Sequence, residues 1–390
     1  MRSLLLAMLL VGCTKENPDF CPNHPDDPRC GGMGSDAGVD SDGDPRDAPP
    51  DAPACFGSGP FEVCPMGAAT GTKTLSGAID TSANGTMCNT AQLWNGTGQT
   101  SSCFIVAESI TVQNVTVTGN RPLVLVATGE ITLTGQLDAA SHVAPPSEGP
   151  GALDPGTCGT FGTIPNGIPA GGGAGASFAS GGGPGGAGGS AGNNATAGGT
   201  GYSPFLATPP GALRAGCRGQ TGGTGQGSGG TGGFGGGAVY LVSGTRLTLG
   251  AAAIINASGA GAAQPGKTGG GGGGGSGGMV LLHAPDVTIA PGAIVVANGG
   301  GGSTGGDDNG AGTGTRGNDP DPANPTSAAP TVTGAGGSGG GGFAEGSTAT
   351  SGGPGLSGEG GGGGGGGGGY IQSNQPLTNA TVSPAANVVL

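Results

Sequence analysis

Ten consecutive glycines, Gly360 to Gly369, constrain this chain more than any other stretch of it. Glycine loses more backbone freedom on ordering than any other residue. A glycine run is therefore either a flexible coil or a segment held by backbone hydrogen bonds alone. This run has company. Glycine-rich stretches also fill 149–237, 260–278 and 299–342, and 99 of the 390 residues are Gly, with a further 31 Pro. At that proportion a core packed from side chains is excluded for much of the chain. Two outcomes stay open for the tracts. They remain solvated coils, or they lie side by side in the extended polyglycine II geometry, where absent side chains let backbones approach and exchange hydrogen bonds. Charged residues, at 9%, are too few for a self-repelling disordered chain.

Between the tracts lies a different pattern. Residues 238–259 (AVYLVSGTRLTLGAAAIINASG) and 278–299 (GMVLLHAPDVTIAPGAIVVANG) align at a constant offset. Their apolar positions coincide: Leu247 with Val287, Leu249 with Ile289, Ile254 with Ile294, and Thr248 falls on Thr288. A third copy runs through 123–141, and its Ile131-Thr132-Leu133 matches Leu247-Thr248-Leu249. Each copy holds three short β-rich runs separated by small or turn residues. Alternation places Leu247 and Leu249 inward and Thr248 outward, a period of two that excludes an amphipathic helix. One turn of a parallel β-solenoid has this form; the competing all-β reading is an antiparallel sandwich, and the solenoid is preferred because the copies are similar in sequence and run in one direction. The stretch 104–117 adds a further coil, with Ile110/Val112 and Val115/Val117 inward. The fold class expected is all-β: an interrupted parallel β-helix with long glycine-rich loops, preceded by a disordered tether.

The N-terminus carries a different message. One arginine precedes the apolar run Leu4 to Val11, followed by Gly12-Cys13, which is the form of a secretory leader too short to span a bilayer. Leu10-Val11-Gly12-Cys13 resembles the bacterial lipobox. That resemblance implies cleavage before Cys13 and attachment of diacylglycerol to its thiol, with the acyl chains holding the protein on a membrane. Thr14 stands where inner-membrane lipoproteins of that kind carry aspartate, which implies the outer membrane. Residues 14–54 hold 10 of the chain's 24 acidic side chains against 3 basic ones and almost no apolar anchor, the composition of a solvated tether. Asp40, Asp42, Asp44 and Asp51 fall at positions 1, 3, 5 and 12 of a calcium-loop template. Pro45 occupies the position where that template needs a sharply turning glycine, so they are weak calcium candidates and a plain spacer is the better reading. No lysine or arginine cluster exists to meet nucleic acid.

Cys13 apart, eight cysteines remain: Cys21, Cys30, Cys55, Cys64, Cys88, Cys103, Cys158 and Cys217. An even number in an exported chain points to disulfides, and pairing between sequence neighbours is the simplest of the many connectivities eight cysteines allow. No Cys-x-x-Cys pair occurs and His24, His142 and His283 are scattered, so a metal site is not expected.

The tract GGGAGASFASGGGPGGAGGSAG (171–192) resembles the glycine-rich repeats of PE-PGRS-type surface proteins, without their PE domain. The alternation of poly-Gly with an apolar coil ending Ala297-Asn298-Gly299 is similar to glycine-rich β-solenoid lipoproteins and adhesins. The resemblance covers 104–390 and implies a surface structural or adhesive role with no catalytic residues.

The search for chemistry ends in the same place. Gly261 to Thr268 satisfies the P-loop spacing, but Pro265 and the glycines that follow leave no helix to receive a phosphate, and no nucleotide is expected as cofactor or partner. Asp307, Asp308, Asp319 and Asp321 form an acidic loop able to hold a cation weakly. Glu108, Glu130, Asp138, Arg246 and Asp286 are the isolated charges of the coils; Glu130 and Arg246 occupy equivalent repeat positions. Aromatic platforms for sugars are scarce (Trp94, Tyr202, Tyr240, Tyr370). The organisation expected is a signal peptide at 1–12, a lipidated tether at 13–54, disulfide-braced coils at 55–142, a glycine-rich insertion at 143–237, and coils alternating with poly-Gly at 238–390. The function expected is a non-enzymatic, cofactor-free, outer-membrane surface lipoprotein contacting polysaccharide, matrix or another cell. The alternatives are a polysaccharide-degrading β-helix enzyme and an ice- or mineral-binding face built from outward threonines such as Thr111, Thr116, Thr118 and Thr132.

Overall fold

The computed structural model describes residues 55–65, 69–82, 87–89, 91–152, 158–190, 196–200, 209–309, 312–334 and 336–389. Cys13, Cys21, Cys30, Asp40, Asp42, Asp44, Asp51 and Tyr202 lie outside them. The described chain is all-β, without an α-helix, and its sheets are almost entirely parallel. Its strands are β1 (Thr72–Asp80), β2 (Cys103–Ala107), β3 (Ser109–Thr118), β4 (Leu123–Ala127), β5 (Glu130–Leu133), β6 (Gln136–Asp138), β7 (His142–Val143), β8 (Pro146–Ser147) and β9 (Ala238–Ser243). They continue with β10 (Arg246–Leu249), β11 (Ile254–Asn256), β12 (Met279–His283), β13 (Asp286–Ile289), β14 (Ile294–Val296), β15 (Tyr370–Ser373), β16 (Thr381–Ser383) and β17 (Asn387–Val388).

The repeat aligned in the sequence is the repeat paired in space. The triplets β4-β5-β6, β9-β10-β11 and β12-β13-β14 stack strand upon strand, Leu247 between Ile131 and Val287 and Thr248 between Thr132 and Thr288. First strands form one sheet (β17-β15-β12-β9-β4-β2). Second and third strands form the other, in which β3 supplies both positions and β1 pairs beside it. The core sits between them. Leu123, Leu125, Leu133, Leu137, Leu241, Leu247 and Ile255 are wholly buried there, with Ile110, Val112, Val115 and Val117 on the same side.

Each strand's sequence reports how many of its faces are covered. In β4 every residue is buried, because Leu123 and Leu125 enter the inner core while Val124 and Val126 face an outer cluster with Phe61, Val63, Leu93, Phe178 and Leu213. A strand covered on both faces reads as a continuous apolar run, Leu-Val-Leu-Val-Ala. In β5 only Ile131 and Leu133 are buried and Thr132 is left half-exposed, because solvent lies on the outer side. Edge strand β1 carries Lys73 opposite inward-facing Ile110, and a charge at that position discourages further strands from adding.

The glycine tracts leave the sheets at one corner, after β6, β11 and β14. The exits are made of small residues and stay in ladder: Ala139 N–H donates to Asn256, Ala257 to Val296 and Ala297 to Ser383. Beyond them the bonding has a period of three. In the run 360–369, the N–H groups of Gly360, Gly363, Gly366 and Gly369 donate to the carbonyls of 306, 303, 300 and 297. Those of Gly361, Gly364 and Gly367 donate to Ala170, Gly173 and Ala176, and those of Gly362 and Gly365 to Gly353 and Thr350. The carbonyls reach three further tracts. Gly337, Gly340 and Phe343 donate to the first set, Gly271, Gly274 and Gly277 to the second, and Gly183 and Gly186 to the third. The ten glycines thus have a bonded neighbour on six sides. A Cβ at Gly363 would lie 1.8 Å from the carbonyl oxygen of Gly272, and one at Gly365 would lie 1.8 Å from that of Gly341. Only glycine fits a tract enclosed this way. The tract 269–278 is surrounded likewise, by 217–223, 230–236, 257–260, 300–303, 173–176 and 361–367.

Among the described residues, disulfides join Cys55 to Cys64, Cys88 to Cys103 and Cys158 to Cys217. The first holds the segment that covers the outer side of the first-strand sheet. The third ties the glycine-rich insertion to the start of the tract 217–223.

Candidate functional site

Interior glycine leaves little chemistry inside the body, so functional side chains must stand on its outer rows. The most regular row is on the open face of the second-strand sheet. Parallel pairing stacks equivalent residues, and an outward threonine in each repeat becomes a column: Thr74, Thr111, Thr132, Thr248 and Thr288, one from each of β1, β3, β5, β10 and β13. Adjacent strands are ~4.8 Å apart, so the column extends ~19 Å across the strands. β-Branched residues suit this position, and cross-strand Thr pairs stabilise a sheet by roughly 0.2–1 kcal/mol each. Thr74 and Thr288 are exposed and the other three half-exposed.

Beside it runs a second column two residues earlier on each strand: Thr72, Ser109, Glu130, Arg246 and Asp286. Glu130 and Arg246 are in register, but the guanidinium turns the other way and bonds Asp286 at 2.7 Å. That hydrogen bond, with the adjoining negative charges, raises the Arg246 pKa further above its ordinary value. Glu130 instead accepts the hydroxyls of Thr132 (2.8 Å) and Thr248 (3.0 Å) through one carboxylate oxygen. It orients both hydroxyls so that their lone pairs face outward. Among the described residues no hydrogen bond engages the hydroxyls of Thr74, Thr111 or Thr288.

Of the outward threonines named from the sequence, Thr111 and Thr132 stand in the column. Thr116 and Thr118 lie further along β3, opposite Ala78 and Asp80 of β1. Thr74 was not legible, because Lys73 stands where the other copies carry Ile, Leu or Val and hides the repeat at β1. Of the isolated charges of the coils, Glu108 lies at the connection between β2 and β3, whereas Glu130, Arg246 and Asp286 open their strands and Asp138 closes β6.

A second cluster centres on His142. Its Nε2 is 3.1 Å from Asp138 Oδ2 and its Nδ1 is 3.5 Å from Asp319 Oδ2. Asp319 also accepts the N–H groups of Val143 and Gly261, and Asp138 accepts the Asn256 amide. The hydrogen bonds from Asp138 and then Asp319 push His142 up to about 10 against an opposing effect of burial, which makes it a charged clamp between β6 and residue 319 at neutral pH. The acidic loop expected from the sequence is therefore dispersed. Asp319 is taken by the clamp, Asp307 accepts from Asn309, and Asp321 accepts from Ala323 and Asn324. Asp138 was visible four residues before His142, whereas Asp319 was not, because 177 residues separate the pair. Among the described residues no three His, Cys, Asp or Glu side chains gather as metal ligands would.

A cleft of about 380 Å³ is lined by Thr100, Asn120, Arg121, Pro122 and Arg214. Arg121 is held there by the carbonyls of Thr81 and Ser82, both at 2.6 Å. Arg214 lies over the Phe178 ring at 5.1 Å, with Nη2 3.2 Å from Cys158 Sγ.

Within the P-loop spacing, Gly266 to Gly269 is a closed turn with Thr268 in the left-handed region, and among the described residues no helix follows it. Of the aromatic residues named from the sequence, Tyr202 lies outside the described residues and the other three pack into the body. Trp94 stacks on Tyr240 at 6.1 Å beneath the N-terminal segment, burial pushes the Tyr240 hydroxyl far above its usual range, and Tyr370 is buried. No helix among the described residues is long and apolar enough to cross a membrane. No protein-family profile, no characterised protein and no solved structure matches this chain.

Proposed function

We propose that this chain is an exported, non-enzymatic lipoprotein, anchored through Cys13 in the outer membrane, with a structural or adhesive role at the cell surface. Its body is an interrupted parallel β-solenoid from one corner of which polyglycine II hairpins project, and the acidic segment 13–54 is the spacer between membrane and body. The enclosure of Gly360–Gly369 by six bonded tracts carries the reading. Backbone bonded to backbone in all directions holds a shape with no side-chain chemistry inside, and at ~3.1 Å per residue each hairpin arm reaches ~28 Å. A body built in this way serves as a rigid spacer and scaffold, with recognition left to its outer rows.

The test is protease treatment of intact cells, followed with an antibody to residues 55–390, and metabolic labelling with palmitate. Cleavage without lysis, together with label that disappears in Cys13→Ser, is the expected outcome. Protection until lysis would remove the body from the surface and leave an envelope scaffold; persistent membrane retention of the unlabelled Cys13→Ser chain would remove the lipid anchor.

One observation favours a second reading. Five in-register threonines on one sheet face are an ordered hydroxyl array of the kind an ice or mineral lattice could engage.

A further inference from the structure

We propose that the paired columns on the open sheet face are a binding track for a single extended chain of neutral β-1,4-linked polysaccharide, lying across the strands along Thr74, Thr111, Thr132, Thr248 and Thr288. The inference rests on the adhesive reading and supplies its ligand class.

Three features of the face select this occupant. The first is its repeat. Hydroxyls recur every ~4.8 Å over ~19 Å across the strands, a spacing close to the rise per sugar of an extended β-1,4 glycan; successive sugars are flipped, so every second threonine meets the same edge of the chain, with room for about four sugars. An α-linked chain, which coils, cannot stay in contact with such a row.

The second is its hydrogen-bonding character. Sugar hydroxyls both donate and accept, and the track offers both. Glu130 and Asp286 carry acceptor carboxylates, Arg246 carries donors, and the threonines do either. With Thr132 and Thr248 donating to Glu130, those two present acceptors, while Thr74, Thr111 and Thr288 can donate outward.

The third is what the face lacks. Leu247, Ile131 and their equivalents point into the core, so the track has no apolar or aromatic anchor of the kind that dominates protein interfaces. Its charges alternate in sign, Glu130, Arg246 and Asp286, so it does not attract a polyanion. The same charges stand one column from the threonines and hold their own hydration, which sets them against an ice lattice. Contact through hydrogen bonds alone is weak for one molecule and gains strength from many anchored copies meeting one polymer.

The experiment uses the full chain in detergent micelles, with microcrystalline cellulose and chitin as probes and amylose resin as the α-linked control. The wild-type protein is expected to be retained on cellulose or chitin and not on amylose. The triple variant Thr111→Val, Thr132→Val and Thr248→Val keeps the β-branched shape, so its thermal unfolding should match the wild type, while its binding should be roughly tenfold weaker or worse. Lack of retention on both β-linked probes overturns the proposal, as does unchanged binding by the triple variant. Inhibition of ice recrystallisation that the triple variant loses, without polysaccharide retention, would assign the same face to ice instead. Surface exposure is read separately by protease on intact cells. A protein that is cleaved there but binds neither probe loses this inference alone, and one that binds but is protected loses the surface role alone.

Discussion

Gly364→Ala tests the account of the glycine interior most directly. The residue lies in the middle of the enclosed run, donating to Gly173 and accepting from Gly274, both at 2.9 Å. A Cβ there would sit 2.0 Å from the carbonyl oxygen of Gly183, whereas real Cβ contacts essentially never fall under 3.0 Å. The two tracts must separate by about 1 Å, and the run has bonded neighbours on its other sides, so it has nowhere to move. The separation breaks the bonds from Gly183 to Gly365 and from Gly186 to Gly362, now 2.8 and 2.7 Å. Buried amides and carbonyls left unpaired cost about 1–3 kcal/mol each, and overpacking adds to that. A loss of roughly 3–6 kcal/mol follows, which lowers the melting temperature of a body this size by about 4–8 °C. Gly162→Ala is the control, because a Cβ at Gly162 meets nothing within 4 Å. It should leave stability unchanged or raise it by up to about 1 kcal/mol through the unfolded state. Calorimetry measures both variants, and amide exchange across 360–369 locates the effect. A Gly364→Ala protein as stable as Gly162→Ala, with its tract still protected, would refute the enclosed packing.

Other consequences are equally open to measurement. His142 is raised from 6.5 to about 10, so the stability it contributes is complete below pH 6.5 and is lost progressively as pH rises to about 10. His142→Gln should flatten that limb of the stability–pH curve; an unchanged slope would mean that the clamp adds nothing. Removing the Cys158–Cys217 disulfide, whose partners are 59 residues apart, should cost about 4 kcal/mol by chain entropy, against about 3 for Cys55–Cys64, whose partners are 9 apart. Denaturant unfolding of the paired Ser variants compares the two, and the reverse order would argue against the chain-entropy account. Ile255→Ala, at a fully buried position between the sheets, should lose about 2–5 kcal/mol, whereas the neighbouring outward Thr248→Val should be nearly neutral in the same assay.

What could be read from residues alone is local. The period of two in Leu247-Thr248-Leu249, and its recurrence at Ile131 and Val287, is set by which side of a strand meets water, so strand type, inward positions and even register could be read in one dimension. Spacing also favoured the pairing of Cys158 with Cys217. The glycine tracts behave otherwise. Ten identical residues carry no pattern, and coil and stacked assembly have the same composition. Only the tertiary arrangement decides, because ordering glycine depends on six neighbours supplied by 170–176, 183–186, 271–277, 297–306, 337–343 and 350–353. The threonine column lies between these cases: each threonine is an ordinary outward strand residue, and five become a track only when parallel pairing stacks repeats that are up to 214 residues apart, from Thr74 to Thr288. His142 found Asp319 in the same way. Local alternation is dictated by burial along one strand, whereas long-range partners depend on how the chain returns to itself after each excursion, and that lies in three dimensions.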